Sequence, residues 1–142
     1  MLPLPKRLRV YLFNVTSPPG GRTVGEHKVQ LIVPGQSRGQ RGNFDRSENR
    51  LVLLGGFCPE EKVFVLWDAD LYYDFSWSRN VQANAETVFR AAAGRIVEQE
   101  RVLRPSTGRT VRETLIACPT PRLLEAIEKR VQIRRRRLIG EE

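Results

Sequence analysis

Lys62-Val63-Phe64-Val65-Leu66-Trp67-Asp68-Ala69-Asp70-Leu71-Tyr72-Tyr73-Asp74-Phe75-Ser76-Trp77-Ser78-Arg79-Asn80-Val81-Gln82 is the stretch on which the reading of this chain turns. Val63 to Trp67 is short, β-branched and aromatic, which predicts a buried strand. Asp68 and Asp70 end it, and both tryptophans lie within the stretch. A strand that delivers flat rings, a carboxylate and amide donors to one place can build a pocket for a nucleobase, held by stacking and edge hydrogen bonds. Trp67, Asp68, Tyr72, Tyr73 and Trp77 are the candidates for that pocket. The alternative is that the rings are core, the polar residues a turn, and Asp68 the cap of the turn after the strand. Alternation adds an objection, because it puts Trp67 and Asp68 on opposite faces unless the strand ends or bulges there.

The chain has 142 residues, enough for one domain with one core. No apolar run approaches the length of a membrane span, and the amino-terminal Met1-Leu2-Pro3-Leu4-Pro5-Lys6-Arg7 lacks the apolar segment of a signal peptide. A cytoplasmic protein is the expectation, in which Asn14-Val15-Thr16 is a sequon without consequence. Cys58 and Cys118 are far apart and read as reduced core thiols. With His27 the single histidine, a zinc site is not expected and no cofactor is implied.

Net charge is +8, unevenly spread. Residues 1–50 carry nine Lys/Arg against three Asp/Glu, residues 51–121 eight against nine, and residues 122–142 seven against four. A near-neutral middle with basic ends suits a folded core presenting cationic loops to a polyanion. Arg22, Arg38, Gln40, Arg41 and Arg46 are candidate phosphate and groove contacts, and Ser78, Arg79, Asn80 and Gln82 candidate base-edge contacts. Gln36 to Asn43 has no apolar residue and reads as a mobile cationic loop.

Strands are predicted over residues 10–15, 28–33, 51–54, 63–67, 96–103 and 110–118, the last two as a hairpin. Gly55-Gly56 is taken to end the third. Asn84 is an N-cap for a helix over 85–93 closed by Gly94, and Thr120-Pro121 starts a second helix in which Glu125 and Lys129 pair. The Arg134–Arg137 run reads as a basic tail or linker over 134–142. The fold class is α+β: a curved, mostly antiparallel sheet or open pseudobarrel of about six or seven strands with two helices.

Four segments together resemble a known group: Tyr11-Leu12-Phe13-Asn14-Val15-Thr16, residues Glu26 to Gly35, Phe64-Val65-Leu66-Trp67-Asp68-Ala69, and Ser78-Arg79-Asn80-Val81-Gln82 before a helix. In order and flavour they resemble the DNA-recognition modules beside nuclease or helicase domains in bacterial restriction systems, including modification-dependent ones. That group includes the B3-like pseudobarrel and the SRA and EVE/YTH-type domains. The first reads the major groove, and the others flip a modified base, such as methylcytosine, into an aromatic pocket. The resemblance implies a double-stranded DNA-binding module without catalysis, part of a longer restriction endonuclease or helicase polypeptide. Two other classes stand beside it. One is an RNA-binding or protein-interaction accessory domain. The other is a small metal-dependent nuclease using Asp68, Asp70 and Glu26-His27-Lys28 or Glu60-Glu61-Lys62.

Overall fold

Residues 7–16, 26–104 and 109–140 are described by a computed structural model. In chain order the strands are β1 (Leu8–Asn14), β2 (Glu26–Leu31), β3 (Leu51–Cys58), β4 (Val63–Trp67) and β5 (Arg79–Asn84). Helix α1 (Ala85–Ala92), β6 (Val97–Leu103), β7 (Val111–Pro119) and helix α2 (Leu123–Leu138) follow. Short 3-10 turns span Ala69–Leu71 and Thr120–Arg122.

β4 is the middle strand of a five-stranded sheet ordered β1-β3-β4-β7-β6. Both faces of that sheet are covered, which is why β4 is an unbroken apolar run. Val63, Val65 and Trp67 point into the larger core with Leu54, Leu115, Ala117 and Val88. Phe64 and Leu66 alternate to the other face, where Leu53, Ile116 and Ala126 of α2 pack. The β1–β3 pair is parallel and the other three pairs of this sheet are antiparallel, so the sheet is mixed. β2 and β5 form a separate antiparallel ribbon. A single bridge between Thr16 and Lys28 joins the end of β1 to β2. On the other side, Arg101 donates to the Gln82 carbonyl, and the Gln99 amide oxygen accepts from the Asn84 backbone N–H at 3.0 Å. These contacts link β6 to β5 without a backbone ladder. The result is α+β, with seven strands and two helices among the described residues, not closed into a barrel.

Several local expectations are corrected. β3 does not stop at Gly55-Gly56 but runs on to Cys58. The glycines are there for packing: a Cβ on Gly56 would lie 2.6 Å from Val15 Cγ2 and 3.0 Å from the Trp67 ring. Arg79–Asn84 is a strand that the sequence reading did not include, which sets aside the alternative of a turn over its polar residues, because Val81 and Ala83 alternate inward. Asn84 precedes α1 but makes no side-chain cap. The Thr120 hydroxyl donates to the Lys62 carbonyl at 2.8 Å and ties α2 to the β3–β4 turn instead of capping the helix. Glu125 pairs with Arg122, and Lys129 with Glu98, rather than with each other. Residues 134–138 continue α2 instead of trailing away as a tail, because Arg134 and Arg137 are held by Asp70 and Asp68.

Cys58 and Cys118 are free and buried, and burial pushes their thiols up to about 12 and about 11. No helix of the described residues is long and apolar enough to cross a membrane.

Candidate nucleic-acid interface

The β2–β5 ribbon has one apolar and one polar face. His27, Val29 and Leu31 of β2, with Val81 and Ala83 of β5, point inward and are buried. The register sets Gln30 opposite Asn80, Lys28 opposite Gln82 and Glu26 opposite Asn84 on the outward face. Lys28, Gln30, Asn80 and Asn84 are exposed. Gln82 is half-buried, its amide oxygen accepting from Arg101 at 3.4 Å. An antiparallel pair of strands with amide and cationic side chains at alternate positions presents donors and acceptors in two parallel rows.

The loop after β2 and the segment before β5 leave the same end of this ribbon and bind each other. Gly42 and Phe75 form a β bridge, and the Asp74 N–H donates to Asn43 Oδ1 at 2.7 Å. Arg41 donates to the Asp74 carbonyl and also reaches its carboxylate at 3.4 Å. The Arg38 guanidinium stacks 5.1 Å from the Trp77 ring centre. Inside the loop, Gln36 and Gln40 close turns onto the Val33 and Ser37 N–H groups. The expected mobile loop is therefore a docked one, because its polar side chains are satisfied locally. Arg38, Gln40 and Arg41 are exposed, while Ser78 and Trp77 are half-buried. Arg46 is exposed as well but tied down, donating to the Ala69 carbonyl at 2.7 Å and to the Tyr72 carbonyl at 3.4 Å. Arg79 lies 5.0 Å over the Tyr72 ring. Arg22 falls outside the described residues.

The five residues expected to line a base pocket are not brought together. Trp67 is 1% exposed, packs in the larger core, and donates its Nε1–H to the Gln82 carbonyl at 2.9 Å. Tyr72 is equally buried and donates its hydroxyl to Glu113 Oε1 at 2.6 Å. Tyr73 is 69% exposed, and Trp77 is under Arg38. Asp68 faces α2. A cleft of about 430 Å³ beside Asp68, lined among others by Glu98, Arg112 and Arg136, contains no aromatic ring and so no stacking face.

The turn cap by Asp68 is among the alternatives read from the sequence; what that reading missed is the clamp of α2 arginines on Asp68 and Asp70. Asp68 caps the 3-10 turn, accepting from the Asp70 N–H at 3.1 Å. Its Oδ2 lies 3.1 Å from Arg137 Nε and 3.7 Å from Arg130 Nη2. Arg130, from the buried side of α2, also donates to the Thr114 carbonyl. Asp70 Oδ2 accepts from Arg134 at 2.7 Å and from Arg137 at 3.0 Å. Burial opposes the charge of Asp70, but hydrogen bonds and attraction from Arg134 and Arg137 together hold its pKa below the usual carboxylate range. Glu113 is buried between the Tyr72 hydroxyl and the Asp68 N–H, and burial raises its pKa. A helix spacing of arginines at 130, 134 and 137 was the available signal, since those positions share one side of α2.

His27, Cys58 and Glu61 are the one group of described residues whose side chains could together hold a metal ion. The Asp68 and Asp70 carboxylates are both occupied by arginines.

Neither the curated proteins nor the solved structures contain a match to this chain. A family model described as "Methylase-associated X1" matches residues 6–127. That span takes in all seven strands, α1 and the start of α2, hence the ribbon and its docked loop. The chain belongs to the Methylase-associated X1 family.

Proposed function

We propose that this chain is a double-stranded DNA recognition module of a restriction-modification system, serving a methylase and having no catalytic activity of its own. The observation that carries the reading is the outward face of the β2–β5 ribbon, where Gln30, Asn80, Lys28 and Gln82 stand in register. The major groove admits a two-stranded ribbon of this kind. Asn and Gln pair bidentately with adenine, and Lys with guanine. Arg38 and Arg41, at the end of the ribbon, are suited to phosphate contacts that position it without reading sequence. The family's description as methylase-associated supports DNA as the shared substrate. The methylase, with the nuclease or helicase of the same system, supplies the chemistry.

Groove reading is favoured over base flipping because Trp67 and Tyr72 are packed in the core and Asp68 is committed to α2. The sites read are sequence- or modification-specific, since methyl groups on adenine N6 or cytosine C5 change the edges that such a ribbon meets.

The test is fluorescence anisotropy of the full chain against a library of duplexes, unmodified and carrying methylated adenine or cytosine, with single-stranded RNA as competitor. A preferred duplex class is expected, with affinity falling steeply as salt rises. Asn80→Ala and Gln30→Ala should flatten the preference. Equal or tighter binding to RNA, or no binding to any duplex, overturns the reading.

A further inference from the structure

His27, Cys58 and Glu61 converge from different parts of the fold. His27 is on the inward face of β2, Cys58 ends β3, and Glu61 closes the tight turn before β4. One ring nitrogen, one sulfur and one carboxylate oxygen lie within 4.8 Å of one another. His27 and Cys58 are fully buried. Neither ring nitrogen of His27 has a hydrogen-bond partner among the described residues, and Glu61 Oε1 has none either. Buried imidazoles ordinarily donate from one nitrogen and accept at the other.

His27 Nε2 and Glu61 Oε1 are 3.7 Å apart. That is too long for a hydrogen bond. It falls within the roughly 3.3–3.8 Å spacing of two donors on one tetrahedral ion with bonds of about 2.0–2.3 Å. The spacing Cys58-Pro59-Glu60-Glu61 places two donors at the ends of one turn, and β2 brings the third across from the other sheet. A Cys–His pair can also act as nucleophile and base, but that use needs substrate access. Cys58 is fully buried, with none of its surface open to solvent.

We propose that His27, Cys58 and Glu61 bind one divalent transition-metal ion of the zinc class, as a structural clip between the β2–β5 ribbon and the β3–β4 hairpin. Thiolate and imidazole select zinc over magnesium or calcium, and a water molecule takes the fourth position on the Glu61 side, which is the partly exposed one. The thiol proton leaves to solvent as the sulfur–metal bond forms. Two cysteines far apart and a single histidine argued against zinc along the sequence, but the ligands meet only when the two sheets pack. The proposal stands independently of the DNA reading.

The test uses the full chain. Zinc content is measured after purification, and the chelated protein is titrated with Co²⁺. About one metal ion per chain is expected, with a thiolate-to-cobalt charge-transfer band and a melting temperature that falls on chelation and recovers with Zn²⁺. The band should persist in Cys118→Ser, and affinity should drop by more than about 100-fold in Cys58→Ser and Glu61→Gln, beyond what loss of an outer partner causes. If Cys58→Ser does not fold, the wild-type and Cys118→Ser titrations decide. Absence of the charge-transfer band in wild type, its loss in Cys118→Ser, or a melting temperature indifferent to Zn²⁺ overturns the proposal.

Discussion

Asp68→Ala separates a structural role from a ligand-binding one. The Asp68 side chain is 5% exposed and that of Arg130 6%. Removing the carboxylate leaves the Arg130 guanidinium buried with the Thr114 carbonyl, and deprives Arg137 of its Nε partner. Burial works against the charge on Arg130, and Asp68 is the first group that counteracts it. Breaking one side of a buried pair costs about 3–5 kcal/mol. For a chain of this size about 2–4 °C of melting temperature accompanies each kcal/mol, so a drop of about 6–20 °C is expected. Asp70 is more exposed and shares its arginines with solvent, so Asp70→Ala should cost no more than about 1 kcal/mol. The double variant Asp68→Ala with Arg130→Met should recover much of the loss, because replacing both partners of a buried pair by apolar groups is close to neutral. Urea and thermal unfolding of the four proteins measure this. If Asp68→Ala melts within a degree or two of wild type but loses discrimination among duplexes, Asp68 is a ligand contact and the clamp argument is wrong.

Three further outcomes follow from the geometry. Arg38→Ala with Arg41→Ala should reduce the slope of log affinity against log salt by about 0.9 for each phosphate that is no longer neutralised; an unchanged slope would reduce the docked loop to a structural element. Gly56→Ala should destabilise by about 1–3 kcal/mol through overpacking against Val15 and Trp67, read from denaturant unfolding, and a neutral result would mean that the Trp67 ring shifts freely. Glu113 has a raised folded pKa, so its contribution is fully present below the unfolded value of about 4.5 and is lost as pH rises through the folded value. Glu113→Gln should remove that alkaline-side decline in a pH series of unfolding free energies, whereas a parallel decline in both proteins would place its origin elsewhere.

Much of this protein is legible along the chain, because it follows from local pattern. The β4 run, the β6–β7 hairpin, the α1 boundaries and the α+β class came from alternation, turn residues and breaker positions that act within a few residues. The candidate contacts of the 36–46 and 73–80 segments could be named, but not that they bind each other. Local pattern also misled. Gly55-Gly56 reads as a stop until Val15 and Trp67 are seen to fill the space that a side chain would take. Ser78 to Gln82 reads as a polar cluster, base-reading or a turn, and that it is mostly strand follows only when β2 supplies its partner. Which rings are core depended on the second face of the sheet. Asp68 could be a pocket acceptor or the cap of the following turn; it is the cap, and its second role, as the anchor for Arg130 and Arg137, appears only once α2 is packed against it. The meeting of His27 with Cys58 and Glu61 is of the same kind. Side-chain chemistry is written in the sequence, but distances across two sheets are determined by how apolar faces pack, and packing is a property of the whole chain.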